Sequence, residues 1–330
     1  MLQCQQMPKR LLSGIQPTGE LHIGNYLGAI KQWVEYQPDY DTFIMVADYH
    51  SLSARPKPDD LHQRTLDLIA ILIACGIDPK SSTLFVQSQL PAHAELGWIL
   101  GNFTSLGQLN RMTQFKEKSD QFGQNLGLYS YPVLQTADIA LYNADVVPVG
   151  DDQIQHLELA REIIRSLNNF AQEKVLVEPK PLLNTAARIM ALNDPTKKMS
   201  KSIPGSAIGL QASEDEISRT IKRAVTDSDP NAAEMSGALK NLMTILEGVS
   251  DHQAFTHIQS LHKNGKLQYS ELKEQLIEDL IAFLAPIQKT YDTLRKDEKA
   301  LRRIVEEGKA KAEPVATATL QKVKTALGLL

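Results

Sequence analysis

Long apolar runs are missing from this chain, and with them any helix able to span a bilayer; Ile69 to Cys75 is only a short buried helix segment. Cysteine is scarce: Cys4 and Cys75 have no metal-ligand spacing, and so little cysteine fits a reduced cytosolic compartment. After the charges of Met1 to Arg10 there is no apolar signal core, which argues against export and for the cytoplasm. Excess positive charge is absent as well. A net charge of -4 argues against a dedicated, strongly basic nucleic-acid binder, although a local basic face stays open. No internal repeat or low-complexity segment occurs. The glycine-rich stretch near the start lacks the Gly-Lys-Ser/Thr ending of a Walker loop and the glycine spacing of a dinucleotide fingerprint.

What is present is an ordinary globular composition, 42% hydrophobic and 22% charged, in 330 residues, enough for a large core and two domains. Leu11-Leu12-Ser13 reads as a short strand ending at Gly14. A turn over Gln16 to Glu20 leads to a helix from His22, with Tyr26, Leu27, Ile30, Trp33 and Val34 on one face. Asp41 to Ala47 and Thr83 to Val86 are buried-type strands, the second preceded by a helix that starts at Pro58-Asp59-Asp60 and stops at Gly76. Ala144 to Val149 is a further strand that Pro148 either weakens or places at an edge, and a helix follows with Ile154, Leu157, Ala160, Ile164 and Leu167 on one face.

Strand, turn and helix in repetition predict an α/β fold with a doubly wound, Rossmann-like parallel sheet. The segment of about 91–142 reads as a helical insert, and beyond Gly205 the periodicity is helical to the end. The predicted division is a catalytic domain over 1–202, lysine loop included, and a helical domain over 203–330 whose last helix packs back on the first. In such sheets ligands sit at the carboxyl ends of the strands. Those ends are Gly14 to Gln16, Asp48 to His50, Gln87-Ser88 and Gly150 to Gln153.

Two stretches carry the chemistry. Ser13-Gly14-Ile15-Gln16-Pro17-Thr18-Gly19 joins the first strand to the first helix, where glycines let backbone approach a ligand and N–H groups can meet phosphate. Far downstream, Lys197-Lys198-Met199-Ser200-Lys201-Ser202 is entered through Asp194-Pro195 and left through Pro204-Gly205, which reads as a loop. Ammonium and hydroxyl groups in that density suit a polyphosphate leaving group, and equally a solvated basic turn.

Taken together they resemble the two signatures of the class I aminoacyl-tRNA synthetases. The family's His-Ile-Gly-His is matched by His22-Ile23-Gly24-Asn25, and Lys198-Met199-Ser200-Lys201-Ser202 matches the second signature residue for residue. Further strings are similar to the bacterial tryptophanyl members: Gly14 to Gly19, Arg111 to Lys116, Tyr131-Pro132, Ala137-Asp138-Ile139, Pro148 to Gln153 and Ala224 to Ser228. The resemblance covers Leu11 to Ser228.

It implies a tryptophan–tRNA ligase: tryptophan's carboxylate attacks the α-phosphate of ATP, and the acyl group then passes to tRNA(Trp). It implies Gln16, Pro17, Thr18, Gly24 and Asn25 against ATP at the helix start. Gly150, Asp151, Asp152 and Gln153 would hold the nucleotide side, with the Ile189 backbone on adenine. Lys198 and Lys201, with Ser200 and Lys116, would gather the pyrophosphate, with Met199 and Ser202 among the further ATP contacts. Asp138 would accept the indole N–H, with Tyr131, Gln135, Gly14 and a supporting His50 around the amino acid. No residue is implied as a metal ligand; Mg²⁺ would ride on the phosphates. A homodimer is implied, with the anticodon met by the helical domain.

The chain departs from the family at Gln135, where methionine is common, at Ile203, where an aspartate usually follows the lysine loop, and at Leu12, in place of an aromatic. These predict altered pocket polarity and different closing contacts for the loop. The rival readings are a tyrosyl enzyme, a nucleotidyltransferase of the same superfamily, and a non-catalytic paralogue binding tryptophan or RNA. A nucleotidyltransferase would be much shorter, and a binding module has no need of the lysine loop.

Overall fold

The structure is a computed structural model that describes residues 8–112, 125–150, 153–183, 188–201, 203–232 and 234–330. Its centre is a parallel sheet of β1 (Arg10–Ile15), β2 (Asp41–Val46), β3 (Thr83–Val86), β4 (Val146–Val149) and β5 (Lys180–Leu183), in the order β3-β2-β1-β4-β5. The chain leaves β1 toward β2 and β3 on one side and returns to β4 and β5 on the other. The strand order therefore reverses between β1 and β4, where such sheets form a ligand crevice. These two strands pair only at Leu11 and Val146 and part beyond that point.

Pro148 is not at the sheet edge, contrary to the sequence expectation. β4 lies inside, with β5 paired along its full length, from Val146 opposite Lys180 to Val149 opposite Leu183. Proline is tolerated because β1 has already diverged, so no N–H is needed on that side. The edge on this side of the sheet, β5, escapes sequence reading. Lys180-Pro181-Leu182-Leu183 is mostly exposed, and an edge strand needs neither alternation nor two apolar faces.

Period-2 alternation divides the core into two halves. Ile44, Val46, Leu84 and Val86 face one cluster, with Ile23, Leu27, Ile30, Trp33 and the helix Pro58–Ala74. Phe43, Met45 and Phe85 face the other, with the helices Ala92–Gly101, Leu126–Leu141 and Ile154–Ala171. The first two of those helices bracket Leu106–Asn110, a third helix in the expected insert. The helix expected from His22 is a composite: α-helical at Ile23–Asn25, a π turn over Tyr26–Ile30, then α-helical at Lys31–Tyr36. Such π segments often accompany functional sites.

Asp194-Pro195 does not open a loop. Asp194–Lys198 is a strand, β7, antiparallel to β6 (Met190–Ala191), so Lys197 and Lys198 end a hairpin and only the residues after them form the loop. Asp194 accepts from the Thr196 N–H at 3.1 Å and its hydroxyl at 2.6 Å, which holds the start of β7. Proline fits there because β7 has only one partner strand.

After residue 203 the regular elements are helices: Glu214–Arg223, Gly237–Val249, His252–Lys263, Tyr269–Lys296 and Glu298–Ala326. Ser213 to Glu216, an acidic stretch at the start of the first of these helices, forms a capping box, with Ser213 Oγ accepting the Glu216 N–H and the Glu216 carboxylate accepting the Ser213 N–H. The last helix straddles the sheet. Leu301 and Val305 belong to one half of the core, Ala312, Ala316, Leu320 and Val323 to the other. Between them Gly308 crosses the backbone of edge strand β3. A Cβ there would fall 1.7 Å from the Leu84 carbonyl oxygen.

That approach admits no side chain. Gly308→Ala is expected to cost about 3 kcal/mol or more, by forcing helix and strand apart across both halves of the core. Urea unfolding of the variant and the parent measures it; a loss below about 1 kcal/mol would mean that the helix shifts freely along β3.

Candidate active site

The crevice between the parted ends of β1 and β4 is a cleft of about 740 Å³. Its walls bring together most of the residues singled out from sequence: Gly14, Gln16, Thr18 and Asn25 from the first signature, Gln153 after β4, and Lys198, Ser200 and Lys201 from the second. Its lining also contains His50, Tyr131, Gln135 and Asp138. Pro17, Met199 and Ile189 are buried behind these walls, and neither Gly24 nor Gly150 contributes to them. Lys116, Asp151, Asp152 and Ser202 lie outside the described residues.

The two signatures are tied together by backbone. The Ile23 N–H donates to the Ile208 carbonyl at 2.9 Å, and the Leu210 N–H to the Leu21 carbonyl at 2.9 Å. Side chains interlock beside this ladder. A Cβ on Gly24 would lie 3.0 Å from His22 Nδ1 and 3.2 Å from Met199 Sδ, so glycine lets the lysine loop close on the helix start. Asn25, in the signature's last place, accepts the His22 N–H on its Oδ1 at 3.0 Å, as a helix-start residue does. The loop's own closing contacts run through Ser206, whose hydroxyl donates to the Ser200 carbonyl, while Ile203 points partly to solvent. Lys201 pairs with Glu20, and Lys197 with Asp194 at 2.9 Å.

Asp138 is the most constrained group in the site. It is 2% exposed, on the helix Leu126–Leu141, which starts at the Asn125 cap. Its Oδ1 accepts from Gln87 Nε2 at 2.8 Å and from His93 Nδ1 at 2.7 Å, and its Oδ2 accepts from His50 Nε2 at 2.7 Å. Burial pushes the carboxyl pKa up, but hydrogen bonds and charge from His50 and His93 outweigh it and hold the group at about 2. The carboxylate therefore stays ionised. With about four acceptor positions on its two oxygens, one on Oδ2 remains for a ligand donor. Behind His93, Nε2 meets the Tyr142 hydroxyl at 2.8 Å; on the other side, the Tyr131 hydroxyl meets His156 Nε2 at 2.5 Å.

Sequence reading missed part of this shell. Gln87 stood at a strand end and could be found by the sheet rule, but His93 and Tyr142 had no local signal. His22 was quoted in the signature yet given no role. It lines the cleft, and burial, with the charge of Lys198, lowers its pKa to about 4.

The family profile described as tRNA synthetases class I (W and Y) matches residues 5–285. The chain belongs to the class I tRNA synthetases of the tryptophan and tyrosine group. Within that family it is 44% identical to the tryptophan–tRNA ligase of Clostridium tetani over 330 residues, covering 98% of this chain and 96% of the relative. Tryptophanyl-tRNA synthetase from Campylobacter jejuni, solved with ADP and tryptophan, has a TM-score of 0.86 at 35% identity over 97% of this chain and 100% of that one. The enzyme from Mycoplasma pneumoniae has a TM-score of 0.88 at 34% identity, over 98% and 99%.

For this synthetase the depressed His22 pKa sets a pH dependence of stability. Between its ordinary value of 6.5 and about 4, the unfolded chain binds the proton and the folded chain does not. Stability therefore falls as pH falls through that window. From pH 7 to pH 5 the parent is expected to lose about 2 kcal/mol more than His22→Gln, read from urea unfolding of both. Parallel curves would place His22 in contact with water.

Proposed function

We propose that this chain is a tryptophan–tRNA ligase of class I type. It activates L-tryptophan with ATP and transfers the product to tRNA(Trp). The observation that carries the reading is the shared cleft: an ionised, almost water-free carboxylate lines the same cavity as the lysine loop. The names borne by the C. tetani and C. jejuni proteins support it.

In the first step a tryptophan carboxylate oxygen attacks the α-phosphorus of ATP. A P–O bond forms, the bond to the bridging oxygen breaks, and pyrophosphate leaves with the electron pair. Lys198, Lys201 and Ser200, with Lys116, stabilise the charge on the leaving group; the first-signature residues Gln16, Pro17, Thr18, Gly24 and Asn25 and the nucleotide-side residues Gly150, Asp151, Asp152 and Gln153 hold ATP in line. The resemblance assigns the Ile189 backbone to adenine; in the fold it is buried behind the cleft wall, with its carbonyl accepting the Met199 N–H. In the second step a ribose hydroxyl at the tRNA 3′ end attacks the acyl carbon and AMP leaves. Asp138 selects the amino acid: indole N–H takes the open position on Oδ2, and a phenylalanine ring would leave it unpaired. Gln135 replaces a common methionine beside it and accounts for a more polar pocket wall.

Among the described residues no cluster of three or more His, Cys, Asp or Glu could hold a metal ion. Mg²⁺ enters on the phosphates of ATP as charge compensation. No described helix is long and apolar enough to cross a membrane. Cytoplasmic placement follows from the translational role. The catalytic unit is assigned to 1–202, and the helical part from 203–330 to anticodon recognition.

For the homodimer, the candidate contact residues are large apolar side chains left in water: Trp98, Leu106 and Leu126 on the insert, 80%, 69% and 78% exposed, and Phe170 near the end of the helix Ile154–Ala171, 67% exposed. Trp98→Glu combined with Leu126→Glu is expected to give a folded monomer by sedimentation, whose melting temperature no longer depends on protein concentration. A dimer that survives both charges would move the interface elsewhere.

Pyrophosphate exchange tests the enzyme itself. It is expected with tryptophan and not with tyrosine, and exchange driven by tyrosine would favour the tyrosyl reading. Asp138→Ala is expected to lower kcat/KM for tryptophan by roughly tenfold or more, the scale of a charge-assisted hydrogen bond. Lys198→Ala and Lys201→Ala are each expected to slow adenylate formation by about a hundredfold while tryptophan binding without ATP holds. Normal rates in both lysine variants would reduce the loop to a solvated turn.

A further inference from the structure

Asn241 lies on the helix Gly237–Val249, in no part of either signature, and it is 5% exposed. Both ends of its side chain amide are used on one residue. Its Oδ1 accepts the Met190 N–H at 2.8 Å, and its Nδ2 donates to the Met190 carbonyl at 2.9 Å. That is the pairing a neighbouring strand would offer, supplied by a single side chain.

Met190 is half of β6, a strand of two residues, and its partner across the hairpin is Lys198. One residue earlier, the Ile189 carbonyl accepts the Met199 N–H at 3.2 Å. The lysine that closes β7 and the loop that follows it are thus registered on β6. A strand this short has little cohesion of its own, because each further pair is what fixes register. Asn241 supplies the missing side. Without it, a partly buried N–H and carbonyl of Met190 would lose their partners together.

We propose that Asn241 is a positioning residue for the lysine loop: by clamping Met190 it sets where Lys198 stands in the cleft. It touches no substrate. The effect is confined to the ATP side, because the residues around Asp138 come from other segments: the ends of β2 and β3 and the helices Ala92–Gly101 and Leu126–Leu141. The helical region beyond residue 203 thereby holds a catalytic lysine in place through one amide.

The proposal rests on the reading of Lys198 as a pyrophosphate-stabilising group, and the test separates the two. Asn241→Leu keeps the branched shape, with some added volume, and removes both hydrogen bonds. Asn241→Asp keeps the acceptor and sets an oxygen against the Met190 carbonyl. Met243→Ala, two residues on and buried in the same half of the core, is the control for a plain loss of packing. Each protein is taken through melting, calorimetric tryptophan titration without ATP, and single-turnover adenylate formation.

Both Asn241 variants are expected to form adenylate about tenfold or more slowly, with tryptophan affinity within about twofold of the parent. Met243→Ala is expected to melt earlier yet react at the parental rate when folded. If Asn241→Leu does not fold, Asn241→Ser carries the same comparison. Parental rates in the folded Asn241 variants, or equal slowing in Met243→Ala, overturn the proposal. A parent that shows no tryptophan-dependent exchange overturns the enzyme reading first, and the proposal with it.

Discussion

A carboxylate kept ionised with almost no access to water is costly, and Asp138 is such a group. Its charge survives only because donors reach it from separate parts of the chain: His50 after β2, Gln87 after β3 and His93 at the start of the next helix. Removing one donor would leave the rest to carry a buried charge. The constraint therefore runs outward. The two strands must end level with each other, as their in-register pairing from Phe43 opposite Thr83 to Val46 opposite Val86 ensures. The helices Ala92–Gly101 and Leu126–Leu141 must also lie side by side beneath the sheet.

The other wall of the cleft is built in a different way. Lysines are most useful to a polyphosphate when they are not already buried or neutralised, and Lys198 is exposed. What holds it is backbone: the hairpin of β6 and β7, and the ladder between Leu21–Ile23 and Ile208–Leu210. Under the proposed function the buried carboxylate would take the amino acid's single N–H, and the exposed cationic hairpin would face the several negative charges of the nucleotide.

Much of this was legible in the sequence. The near-continuous apolar runs of β2 and β3 announce strands buried on both faces, and the Ser213 to Glu216 box announces a helix start. The two signatures announce the family. The parts that escaped share a cause. β5 is short, charged and exposed, so it carries no pattern. The second strand of the hairpin under the lysine loop begins with Asp194-Pro195, a dipeptide that reads as a turn. His93, Tyr142 and Asn241 are single polar residues in apolar surroundings, and a side chain's partner is not written in its neighbours.

By itself the sequence determined the local choices in its strongly patterned segments: β1 to β4, the main helices, and the strings that lie at those strand ends. Those depend on periodicity and backbone preference over a few residues. Only the tertiary structure decided that β1 and β4 part to open the cleft, that Gly308 must be bare where the last helix crosses β3, and that Asp138 is ionised. Each of these depends on atoms brought within hydrogen-bond or van der Waals reach from segments far apart in the chain, as His50 and Asp138 are, at a separation of 88 residues. A buried charge has its energy set by such neighbours, not by its place in the chain.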